Sequence, residues 1–193
     1  MLSAGHRVVD LATQALLGTL DSATCRDEIL QTEERIDSLE RSIRRRVTIH
    51  AMAYSGTEVA VGLGLMSLVK DAERIGDYGT ALFNLSQWLG TRLAGEHCDD
   101  VRRVSQQTLE LLERGRQAFD ARDQHAAEDV IRQCTDVRDH CEVVVRHLVQ
   151  GVPSEPQAVA YALAYQRLRR IASHLRNIQT ALVQPLDKLD FLP

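Results

Sequence analysis

Apolar residues recur along most of this chain at intervals of three, four and seven, the spacing of helices that bury one stripe. The pattern predicts six helices. The first covers residues 3 to 20 and carries Val8, Val9, Leu11, Ala15, Leu16 and Leu20. The second, capped by Thr24 or Asp27, runs to about Met52 on Ile29, Ile36, Leu39, Ile43 and Val47. Tyr54-Ser55-Gly56 reads as a loop, and Thr57 can cap a third helix from Glu58 to about Leu93, unless Gly90 ends it early. The first half of that helix, from Val59 to Val69, is apolar nearly all round, which predicts a bundle core or a self-association face. The fourth helix spans 96–120 and the fifth 124–150. The sixth starts from a Ser154 cap with Pro156 in its first turn and stops at Pro185.

The six runs divide into two similar sets. Val69 to Leu82 aligns with Tyr165 to Ile178 at an offset of 96, and Ile29 to Asp37 aligns with Val130 to Arg138 at an offset of 101. Duplication of a three-helix unit explains both. The expected fold class is all-α, as two tandem antiparallel three-helix bundles related by a pseudo-twofold repeat, or as one elongated array. The units are residues 1–94 and 95–193.

The candidate chemistry lies in Asp71-Ala72-Glu73-Arg74-Ile75-Gly76-Asp77-Tyr78-Gly79. Glu73 and Asp77 are four apart, so they share a helix face and repel each other. Glu33 and Asp37 repeat this spacing on the second helix. In the second unit the four positions become Cys134, Arg138, Arg169 and Ser173. Loss of all four together is expected of residues that served one site. Four carboxylates on two facing helices suit a hard or borderline cation such as Mg, Mn, Ca or Fe. A surface network, with Glu73 on Lys70 or Arg74 and Asp37 on Arg41, accounts for the same residues without a metal. Both readings stand at this point.

The phrase Glu73-Arg74-Ile75-Gly76-Asp77 resembles the acidic motif of the PhoU family of phosphate-uptake regulators. The resemblance extends to residues 27–43 and, without the acids, to 166–178. It implies a regulator of inorganic phosphate uptake that acts by protein–protein interaction and is not an enzyme. Its implied partners are a phosphate transporter, a sensor histidine kinase or both, with homo-oligomers, no nucleic acid, a cytoplasmic location and membrane contact only through a partner. It further implies a divalent or iron-type metal ion (Fe, Zn, Mn, Mg or Ca) on Glu33, Asp37, Glu73 and Asp77. Two alternatives are a cytosolic accessory domain of a phosphate permease and a carboxylate-bound metal enzyme.

Composition narrows the alternatives. The net charge of −4 gives no basic field for nucleic acid. Four cysteines without a Cys-x-x-Cys pair predict reduced thiols in a reducing cytoplasm. No apolar run is long enough to span a membrane. A di-iron bundle site needs Glu-x-x-His, but Glu73 is followed three on by Gly76 and Glu33 by Ile36. No phosphate-binding glycine loop or nucleophile elbow is present. Arg41, Arg44, Arg45 and Arg46 read as a solvated face or as a partner contact.

Overall fold

The computed structural model describes residues 1–53, 57–151 and 157–185, and all its regular structure is helical. The helices are α1 (Leu2–Leu16), α2 (Ser22–Ala53), α3 (Thr57–Leu89), α4 (Cys98–Ala121), α5 (Gln124–Gln150) and α6 (Ala158–Val183). The predicted order of elements is therefore observed, and the ends move. α2 begins at Ser22, so Thr24 and Asp27 lie inside it and neither is its cap. α3 stops at Leu89 because Gly90 takes the left-handed conformation, φ +63°, which glycine adopts without a Cβ clash. Leu93 falls in the following loop, where it is buried and its N–H donates to the Leu16 carbonyl. α5 starts where predicted, with the Asp123 carboxylate accepting from the Ala126 N–H at 3.0 Å. Ser154, Pro156, the Tyr54–Gly56 loop and the tail from 186 onward lie outside the described residues.

α1, α2 and α3 pack on one another, as do α4, α5 and α6. The sets meet through α3 on α6 and α1 on α4. Buried side chains from all six helices join one core, among them Val8, Ile29, Ile75, Val104, Val130 and Ile171. Residues matched by the repeat are buried alike: Ile29 and Val130, Ile36 and Val137, Ile75 and Ile171, Leu82 and Ile178. Two motif glycines set the spacing of α3. A Cβ on Gly76 would lie 2.8 Å from Ile36 Cδ1 on α2, and one on Gly79 would lie 2.8 Å from Val8 Cγ1 on α1.

The apolar start of α3 is not bundle core within this chain. Val61 is 51% exposed and Leu63 64%, beside Ile49 and Met52 at the end of α2. α1 has 15 residues against 33 in α3, and its first residues reach only as far as Leu65 and Leu68. Among the described residues no helix is long and apolar enough to cross a membrane.

Candidate functional site

The seam between α2 and α3 collects the acidic residues. Their positions follow from helical spacing. Ile36 and Ile75 point into the core, so Glu33 and Asp37 flank one and Glu73 and Asp77 the other, half-buried at the seam's edge. Burial raises the pKa of Glu33 above the ordinary carboxylate range, and the charges on Asp77 and Asp37 raise it further. Burial likewise raises Asp77, with Glu73 adding to it. The two helices thus bring their acids within electrostatic reach of one another, although they are some forty residues apart in sequence.

Cations already answer part of this charge. Lys70 Nζ donates to Glu73 Oε2 at 2.9 Å, and Arg74 Nη1 donates to Asp77 Oδ2 at 2.8 Å. Glu40 is a further acid of the seam, largely buried, 3.1 Å from Arg44 and 4.0 Å from Lys70. Its place seven residues after Glu33 is the signal that marks it as a member of the same face. The seam therefore alternates in sign across two helices. Among the described residues no three His, Cys, Asp or Glu side chains are grouped as the ligands of one metal ion. The donor chemistry for a hard cation is present at Glu33, Asp37, Glu73 and Asp77. Gathering those donors round one ion requires Lys70 and Arg74 to release Glu73 and Asp77.

Two polar clusters lie outside the acidic motif pair. At the joint between the halves, His174 Nδ1 of α6 lies 2.6 Å from Asp71 Oδ1 of α3. Asp71 is buried, and its second oxygen has no hydrogen-bond partner among the described residues. The His174 ring stacks on Tyr78 at 5.6 Å, and Arg167 lies over the other ring at 5.9 Å. In the second half, Asp100 of α4 accepts from Tyr165 at 2.6 Å, contacts His140 Nε2 at 2.7 Å and accepts from Arg103 at 2.6 Å. Burial opposes ionisation of Asp100, but these hydrogen bonds outweigh it and hold the pKa at about 2. No local spacing announces either cluster, since the partners are 103 residues apart in one and up to 65 apart in the other. The thiols of Cys134 and Cys141 are buried and pushed up to about 12, so neither is a nucleophile at neutral pH.

Comparison with known proteins agrees with the motif. Residues 1–85 match the PhoU domain family model. Two relatives are phosphate-specific transport system accessory protein PhoU homologs. The one from Burkholderia sp is 23% identical over 189 residues, covering 92% of this chain and 80% of the relative. The one from Synechocystis sp. is 28% identical over 160 residues, covering 78% of this chain and 70% of the relative. Among solved structures, PhoU from Pseudomonas aeruginosa superposes with a TM-score of 0.82 at 21% identity, covering 95% of this chain and 90% of that one. The phosphate transport system regulatory protein PhoU from Streptococcus pneumoniae gives 0.75 at 18%, covering 94% and 89%. These structures share the six-helix fold.

Proposed function

We infer that this chain, which belongs to the PhoU family, regulates inorganic phosphate uptake as an accessory protein of the phosphate transport system. The observation that carries this reading is the PhoU domain over residues 1–85, which contains the whole α2–α3 acidic seam. The chain acts by binding and not by turnover, as an accessory protein does. Its partners on this reading are the phosphate transporter, a sensor histidine kinase or both, met in the cytoplasm by a homo-oligomer. The exposed apolar start of α3 supports a protein contact, because patches of this kind favour association. The test is deletion of the gene in its own host, followed by phosphate uptake in phosphate-replete cells. Uptake should become unrestrained and return to normal on complementation. Unchanged uptake would remove the regulator reading.

The metal belongs to the same proposal. Glu33, Asp37, Glu73 and Asp77 are the residues to hold it, and the raised pKa values of Glu33 and Asp77 mark a seam that a cation would relax. Bound there, the ion would supply charge neutralisation and tie α2 to α3. Protein purified without chelator should carry near-stoichiometric metal, and Glu73→Ala/Asp77→Ala should carry none. Equal, trace metal in both preparations would leave the seam as an ion-pair network.

A further inference from the structure

The second half carries the opposite charge on its own seam. Arg138 of α5 corresponds to Asp37 and Arg169 of α6 to Glu73, while Cys134 and Ser173 take the places of Glu33 and Asp77. Arg176 follows Arg169 by seven residues and shares its helix face. The Nε atoms of Arg138, Arg169 and Arg176 are all shut off from solvent, and none has an acceptor among the described residues. Arg138 and Arg176 make no ion pair among the described residues, while Arg169 reaches Glu142 at 3.0 Å.

Burial of unmet donors sets these three apart: among the described residues no other arginine nitrogen is buried without a hydrogen-bond partner. On the outer surface the arginines Arg7, Arg102, Arg103, Arg116, Arg132 and Arg146 each hold a carboxylate. At the α5–α6 seam, burial lowers the pKa of Arg176 and the charge of Arg138 adds to that, against smaller opposing effects from Cys134 and Asp139. The charges of Arg176, Arg138 and Arg114 all act on the Cys134 thiol, lowering its pKa against the larger effect of burial. Arg114 is hydrogen-bonded to Gln133, a neutral amide. Like charges brought together with buried donors left unmet cost free energy, unless a ligand supplies what they lack.

We propose that the α5–α6 seam is an oxyanion site, in which Arg138 and Arg176, flanked by Arg169, bind a tetrahedral oxyanion of the phosphate class. The guanidinium fork presents two parallel N–H groups on its Nε edge, which match two oxygens of such an anion. A dianion neutralises the two unpaired charges and gives the Nε donors their acceptors. The site is distinct from the acidic seam and does not depend on which partner the protein regulates. The acidic and basic seams would then be two sites of opposite charge on one repeated scaffold.

The test is thermal unfolding and calorimetric titration of the full chain with sodium phosphate, against sodium chloride at equal ionic strength. Phosphate should raise Tm saturably and chloride should not, with sulfate reproducing the effect as a member of the same class. Arg138→Gln and Arg176→Gln should each weaken phosphate binding by about tenfold or more. Without phosphate, each should raise Tm, because the repulsion between the two guanidinium groups is gone. Arg102→Gln, on a surface pair, should leave binding unchanged. If either Gln variant fails to fold, Arg138→Lys keeps the charge, loses the fork, and should still bind more weakly. Equal stabilisation of the wild type by phosphate and chloride, or undiminished binding in the variants, overturns the proposal.

Discussion

Glu33, Asp37, Glu73 and Asp77 line the seam between α2 and α3; Cys134, Arg138, Arg169 and Ser173 occupy the matching places between α5 and α6. The stripes beside them remain alike, with Ile29, Ile36 and Ile75 buried in the first half and Val130, Val137 and Ile171 in the second. The difference shows which positions packing controls. Fully buried stripe residues must fill space against neighbouring helices, so their size and apolarity persist. Half-buried seam residues such as Asp37, Glu73, Arg138 and Arg169 have no such constraint, and either sign of charge fits there, whereas the fully buried Cys134 follows the stripe. The packing also shows an exchange of large and small. In the first half Gly79 of α3 admits Val8 of α1, whereas in the second Gly115 of α4 admits Leu175 of α6. At the position that is Gly79 in α3 and Leu175 in α6, the small residue therefore lies on the third helix in one half and on the first helix packed against it in the other.

The joint between the two halves should give the largest effect. His174→Ala leaves Asp71 buried without its partner and should cost about 3 kcal/mol in urea unfolding. A loss under about 1 kcal/mol would mean that the two halves hold together without this pair. The second half should then differ from the first in acid. Tyr165 stands where the first half has Val69, so Tyr165→Phe removes a donor with no counterpart there. The cost should be about 1–2 kcal/mol at neutral pH. Asp100 has a depressed folded-state pKa, so its contribution is present above the ordinary carboxylate range and is lost as pH falls towards about 2. The acid limb of stability against pH should therefore flatten in Tyr165→Phe.

The exchanged glycines make a finer comparison. Gly79→Ala brings a Cβ to 3.2 Å from the Val9 backbone nitrogen, which cannot swing aside. Gly115→Ala meets only the ends of Leu175 and Gln179 side chains. Helix propensity returns about 1 kcal/mol in each, so Gly79→Ala should lose a net 1–2 kcal/mol or so and Gly115→Ala should be near neutral. Equal effects would mean that α1 shifts as freely as a side chain does. The smallest effect is expected at Glu33. Its folded-state pKa is raised, so ionising it opposes folding at neutral pH, and that cost disappears as pH falls below its ordinary value. Glu33→Gln should be more stable than the wild type at pH 7 and equal to it below about pH 4, read from chemical denaturation at the two pH values.

Much of this was legible along the chain. Period and breakers gave six helices in order, and the fifth lay within the limits expected. The acidic quartet was legible as two pairs of i, i+4 carboxylates, and its electrostatic coupling across α2 and α3 is what the structure adds. α2 starts before Thr24 and Asp27, the two caps the sequence suggests, because several polar residues from Asp21 to Asp27 can each begin a helix and local chemistry does not choose among them. Glu40 has no carboxylate four residues away and so stands outside both pairs, although its spacing of seven from Glu33 puts it on the seam face. The arginine seam was visible as a loss of acids, but not as a gathering of buried, unpaired donors.

The amino-acid pattern alone determined which segments become helices, which stripe of each is buried, and that one half keeps a set of carboxylates the other has replaced. These are consequences of a 3.6-residue period and of residue type, both local. Only the tertiary structure decided that His174 meets Asp71 and that Tyr165 and His140 converge on Asp100. Those contacts join helices far apart in sequence. Their existence depends on how α3 lies on α6 and how α4 lies against α5 and α6, and no spacing along a single helix encodes a crossing between two.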